Sequence, residues 1–98
     1  MSAYIIAQIR ITDPDEYQIY LKGFMPIFER HNGALLATSA KDIDVIEGDW
    51  ALDRVVLMQF PDTAHARAWF NDPDYTALAR HRHASAQANL VLVEGIGD

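Results

Sequence analysis

From Tyr4 to Ile11 the chain alternates. Ile5, Ala7, Ile9 and Ile11 fall on one side of an extended backbone and Tyr4, Ile6, Gln8 and Arg10 on the other, which is the period of a strand. The period then lengthens. Asp13-Pro14-Asp15-Glu16 predicts a helix start: Asp13 caps free amides, Pro14 suits the first helical position, and two acids sit at the positive end of the dipole. Tyr17, Tyr20, Leu21, Phe24, Ile27 and Phe28 follow at helical spacing, giving one aromatic, buried side. Pro26 has no amide to donate and predicts a bend near Gly23. His31-Asn32-Gly33 predicts a left-handed terminator.

Ala34 to Ala40 reads as a second strand, with Val45-Ile46-Glu47-Gly48 as its extension beyond a polar interruption at Lys41-Asp42. Gly48-Asp49 opens a connection to a third strand, Arg54 to Phe60. Asp62 caps a second helix ending near Asn71, Asp72-Pro73 restarts a short helix through about Arg80, and Gln87 to Gly95 forms the last strand. The order is that of an α+β, ferredoxin-like βαββαβ plait with an antiparallel four-stranded sheet. In such a plait the helices share one sheet face, so the other should be half polar where it meets water. Val55-Val56-Leu57-Met58 and Leu90-Val91-Leu92-Val93 are apolar on both faces. A second cover is needed, and the economical one is a second copy of the chain, sheet facing sheet about a two-fold axis. A homodimer is expected.

Ninety-eight residues, half of them apolar and 22% charged, predict one globular domain over 1–98. Charged residues interrupt every strong apolar stretch, so no run approaches the ~20 residues of a membrane span. Met1-Ser2-Ala3-Tyr4 leads directly into the strand pattern without the basic and apolar regions of a signal peptide, and the chain has no cysteine; both features predict a cytoplasmic protein. The net charge is −6, and the single basic cluster is Arg80-His81-Arg82-His83. A nucleic-acid partner is not expected, because the chain lacks a basic face to replace counterions on phosphate.

Several segments, in this order, carry a likeness that runs nearly end to end: Asp13-Pro14 with Tyr17 and Tyr20, Gly33, Val45-Ile46-Glu47-Gly48, Arg54, Phe60-Pro61, Ala68-Trp69-Phe70, Pro73 with Tyr75, Arg80 and Val93-Glu94-Gly95. Together they resemble the small proteins of domain-of-unknown-function family 1330, within the dimeric α/β-barrel superfamily. The resemblance implies sheet-to-sheet pairing as a dimeric α/β barrel, with a pocket in each subunit. That superfamily includes cofactor-free monooxygenases, muconolactone-type isomerases, haem-using enzymes and members without a proven activity, so the likeness implies a fold and a pocket and no one reaction. Two positions depart from the family pattern: Phe70 stands where a second Tyr is usual, and Asn71 where Ser is frequent.

For chemistry, Trp69, Asn71, Tyr75 and Arg80 are candidates to line a cleft between the second helix and the sheet. Arg80 offers a planar fork for a carboxylate, enolate or phosphate. Trp69 supplies a flat wall, and Tyr75 and Asn71 supply groups to orient a carbonyl or hydroxyl. The competing reading makes Trp69 core, packs Tyr75 under the short helix and pairs Arg80 with Asp72 or Asp74. Glu47 and Arg54 form a second candidate pair: a structural bridge, or a general base at Glu47 if apolar walls isolate it. Tyr17 and Tyr20 lie on the buried side of the first helix, where either hydroxyl can reach a pocket. His81 and His83 are two apart, which separates them on a helix, and no acid or cysteine completes a recognisable metal site. No phosphate-binding glycine loop is present either.

These features predict a pocket for a small organic acid or carbonyl compound, with no metal or nucleotide cofactor. Arg80 holds the anion, Tyr75 and Asn71 position it, and Glu47 or a pocket tyrosine moves a proton in isomerase or cofactor-free monooxygenase chemistry. The alternative is a non-catalytic ligand-binding or assembly module.

Overall fold

Strand β1, Ala3–Ile11, buries Ala3, Ile5, Ala7 and Ile9 on one face, as its alternation predicts. It is a central strand of the computed structural model, which describes residues 1–39 and 43–97. Helix α1, Pro14–Arg30, begins where Asp13 accepts from the Glu16 amide. It runs without interruption through Pro26. Gly23 gives room for Leu78: a Cβ there would lie 2.7 Å from a Leu78 methyl. Beyond the helix end the chain turns at Asn32, whose φ of 60° is left-handed, with the Gly33 amide donating to the Phe28 carbonyl at 3.1 Å.

Strands β2, Ala34–Thr38, and β3, Arg54–Phe60, pair antiparallel. Val45-Ile46-Glu47 is not a strand, against the sequence expectation: it is exposed, Ile46 to 93%. The register gives the reason. Thr38 already pairs with Val56, and Ser39 takes the Val55 carbonyl, so β3 has no residues left for an extension of β2 to meet. Ala40, Lys41 and Asp42, where that strand was to end and break, lie outside the described residues.

Helices α2, Thr63–Phe70, and α3, Pro73–Ser85, follow, and β4, Ala86–Glu94, completes the sheet. Asp62 caps α2 through the His65 amide, and Asp72 caps α3 through the Asp74 amide at 2.8 Å. Helix α3 extends beyond the expected stop at Arg80, because no Gly or Pro interrupts His81 to Ala84. The Ser85 carbonyl at its end accepts the amides of Thr12 and Asp13. The strand order is β2-β3-β1-β4, antiparallel at every pairing, the α+β ferredoxin-like arrangement predicted. Helices α1 and α3 pack together over one sheet face, joined at one end through Ser85 and at the other by His31 Nε2 and Asp72, 2.7 Å apart. The opposite face carries Tyr4, Ile6, Val55, Leu57, Val91 and Val93. Val91 is 54% and Val93 45% exposed there.

Candidate functional site

Between α1, α3 and the covered sheet face lies a cavity of about 210 Å³, below the ~300 Å³ at which pockets for drug-sized ligands begin. The floor is apolar: Ala7 and Ile9 from β1, Val56 and Met58 from β3, and Leu90 from β4. Helix α1 contributes Tyr17, Tyr20, Leu21 and Phe24 from the helical stripe legible in the sequence, and Met25, which that stripe did not include. Besides the Tyr20 hydroxyl and Thr38 at the end of β2, four polar side chains line the cavity. Arg54 comes from the start of β3, Arg82 from the last turn of α3, the Tyr17 hydroxyl from α1, and the Trp69 indole from the end of α2.

Donors dominate this set. Among the described residues, the buried side-chain polar atoms without a partner are Arg54 Nε, Arg82 Nε and Trp69 Nε1. All three are N–H donors, and all three residues line the cavity. Leaving such a group unpaired in the interior costs roughly 1–3 kcal/mol, and more where it carries charge. Arg82 is only 5% exposed. Its guanidinium lies over the Tyr20 ring, 5.8 Å from the centroid, and its other polar neighbour is His83 at 3.5 Å. Arg54 lies over the Tyr17 ring at 5.9 Å and donates to Thr38 Oγ1 at 3.3 Å. Among the described residues neither arginine pairs with a carboxylate.

Burial pushes the Tyr17 phenol above its ordinary pKa of 10.0, and the charges of Arg54 and Arg82 offset only part of the rise. Tyr17 is therefore a hydrogen-bond donor at neutral pH, not a base. Burial also raises Tyr20, reinforced by Tyr75, whose hydroxyl lies 2.7 Å from that of Tyr20. Among the described residues, none that lines the cavity is Asp, Glu or His.

The candidates from the sequence divide. Tyr17, Tyr20, Arg54 and Trp69 are brought together around the cavity. Tyr75 is buried behind it, its ring 4.2 Å from that of Trp69 and its hydroxyl spent on Tyr20. Asn71 is exposed at the end of α2, where it lines a second groove of about 360 Å³ along β4. Arg80 is exposed and does not line the cavity. Nor does it pair with Asp72 or Asp74, whose partner is Arg30, at 3.1 and 3.0 Å. Glu47 is exposed in the β2–β3 connection, away from the cavity and unpaired with Arg54. The guanidinium expected from Arg80 is supplied instead by Arg82. A signal for it existed: Tyr75, Ala79, Arg82 and Ser85 are the buried positions of α3 and share helical spacing, hidden by ending the helix at Arg80. Among the described residues, no three His, Asp or Glu side chains are grouped to hold a metal.

The fold recurs in solved structures. A protein of unknown function from Rhodopseudomonas palustris is similar with a TM-score of 0.80 at 19% identity, over 99% of this chain and 84% of that one. SnoaB, a cofactor-independent oxygenase from Streptomyces nogalater, is similar with a TM-score of 0.66 at 13% identity, over 99% and 95%. A dimeric ferredoxin-like protein of unknown function from Thermobifida fusca gives 0.57 at 17%, over 97% and 92%. Among curated proteins none matches. The model of the domain-of-unknown-function family DUF1330 matches residues 2–96, and the chain belongs to that family.

Proposed function

We propose that the chain is a homodimer in which each subunit binds a small organic acid or carbonyl compound in the cavity beneath α1, holding it as an anion. One observation carries this reading: the unpartnered buried donors of Arg54, Arg82 and Trp69 all belong to residues around one apolar space. A donor-rich, acceptor-poor space matches an oxyanion. Tyr17, kept protonated by burial, adds a neutral donor.

Among the described residues the lining has no side chain that takes up a proton at neutral pH, so a ligand enters ionised or ionises by its own acidity once held. The non-catalytic binding module gains from the same observation. For catalysis, the chemistry that fits is stabilisation of an enolate or phenolate, which cofactor-free oxygenation or isomerisation of an activated carbon acid requires. The likeness to SnoaB supports that direction at the level of fold. The dimer is supported by the apolar outer face of the sheet, where Val91 and Val93 stand in solvent, and by the dimeric relative from Thermobifida fusca.

Calorimetric titration of the purified chain with benzoate and with neutral benzamide tests the reading. Benzoate is expected to bind, benzamide to bind at least tenfold more weakly, and Arg82→Gln to erase the difference. Equal affinities, or an Arg82→Gln chain that binds benzoate as the parent does, overturn it.

A further inference from the structure

We infer that the cavity selects a compact dianion, a dicarboxylate in which both acid groups are ionised, over a monoanion of the same shape. The inference rests on the cavity being a ligand site, as proposed above, and adds a count of charge. Two guanidinium groups line the space, Arg54 from β3 and Arg82 from α3. Among the described residues no carboxylate pairs with either, and no acid lines the wall. Aromatic faces lie under both, Tyr17 under Arg54 and Tyr20 under Arg82, and their polar neighbours are the uncharged Thr38 hydroxyl at 3.3 Å and the His83 ring at 3.5 Å. Ring faces soften a cation's desolvation without neutralising it.

A monoanion entering this space compensates one guanidinium and leaves the other without a counter-charge, which is least favourable where that group is the buried Arg82. A second carboxylate closes the balance. The two arginines come from different elements, β3 and α3, and the charges of both reach the Tyr17 phenol, so the space holds two guanidinium forks. Each fork matches one carboxylate in planar, two-point fashion. The orphaned Trp69 Nε1 and the Tyr17 hydroxyl remain as further donors to carboxylate oxygens.

Matched pairs that differ by one charge make the test. Isophthalate with its monomethyl ester, and glutarate with its monomethyl ester, are titrated calorimetrically at pH 7.5 and low salt. In at least one pair the dianion is expected to bind tenfold or more tightly, and Arg54→Gln to bring it within threefold of its monoester. Arg54 is only partly buried, so this variant keeps a readout even where a change at Arg82 impairs folding. Dianion and monoester within threefold of each other in both pairs overturn the inference while leaving the anion site standing, provided the monoesters or benzoate bind. No binding by any member, benzoate included, overturns the underlying site as well.

Discussion

Arg82 occupies a position where a small domain normally places an apolar side chain, one helical face shared with Tyr75 and Ala79. A buried cation without a carboxylate is held at the expense of stability, and replacing it by an unbranched apolar side chain relieves that penalty. Arg82→Met is therefore expected to stabilise the ligand-free chain by about 1–3 kcal/mol in urea denaturation while abolishing benzoate binding; a clear loss of stability would mean that its stacking on Tyr20 dominates. The Tyr20–Tyr75 hydroxyl pair behaves in the opposite sense. Removing one hydroxyl orphans the other, so Tyr20→Phe should cost about 1–2 kcal/mol. Adding Tyr75→Phe should cost little more, and strictly additive losses would contradict a mutual bond. Both tyrosines were visible as candidates in the sequence, but their assignment was not. Which hydroxyl faces the cavity depends on the crossing of α1 over α3, which no local pattern encodes.

At the scale of elements, α1 and α3 are held at their far ends by charge. Asp72 accepts from His31 and from the Asp74 amide, with Arg30 close by, and these contacts hold its carboxyl below the usual 3.8. A depressed folded pKa contributes stability that is present above 3.8 and is lost as pH falls through the lower, folded value. Asp62, held down by the His65 amide and ring at the start of α2, acts in the same window. Melting temperature should thus fall on acidification below about pH 4, and Asp72→Asn should flatten that fall; an unchanged slope would remove Asp72 from the cause. Elements with strong boundary chemistry were legible in the sequence: Asp13-Pro14, Asp62 and Asp72-Pro73 each start a helix where expected. Those without it were not. His81 to Ala84 holds neither a helix breaker nor a cap, so the end of α3 was placed too early and Arg82 was missed. Val45-Ile46-Glu47 has a strand's composition but no strand to pair with.

For the whole molecule, the prediction concerns the outer sheet face. Val91 contributes little to the chain's own core, being 54% exposed, so a charge there disturbs association without disturbing folding. The parent chain is expected to sediment at twice its 11.0 kDa and Val91→Lys at the mass of one chain, with unchanged circular dichroism. A parent that sediments as one chain, or a Val91→Lys variant that stays paired, would place the interface elsewhere or remove it. This feature was legible early, because apolar residues on both faces of β3 and β4 state a need for cover whatever the cavity does.

The strand order carries a consequence for how the chain reaches this state. Strand β1 is made early yet lies between β3 and β4, with Ala3 bonded in register to Phe60 on one side and Glu94 on the other. Neither edge of β1 can be satisfied until residues 54–60 and then 86–94 have been synthesised. Its apolar stripe must meanwhile be sheltered by α1 or a chaperone. Such long-range pairing slows the search for the native topology. Closing β4 onto β1 is expected to be the late event of refolding, and it is also the step that brings Leu90 to the cavity floor. A nascent chain shorter than this therefore has its arginines but no finished chamber in which to use them.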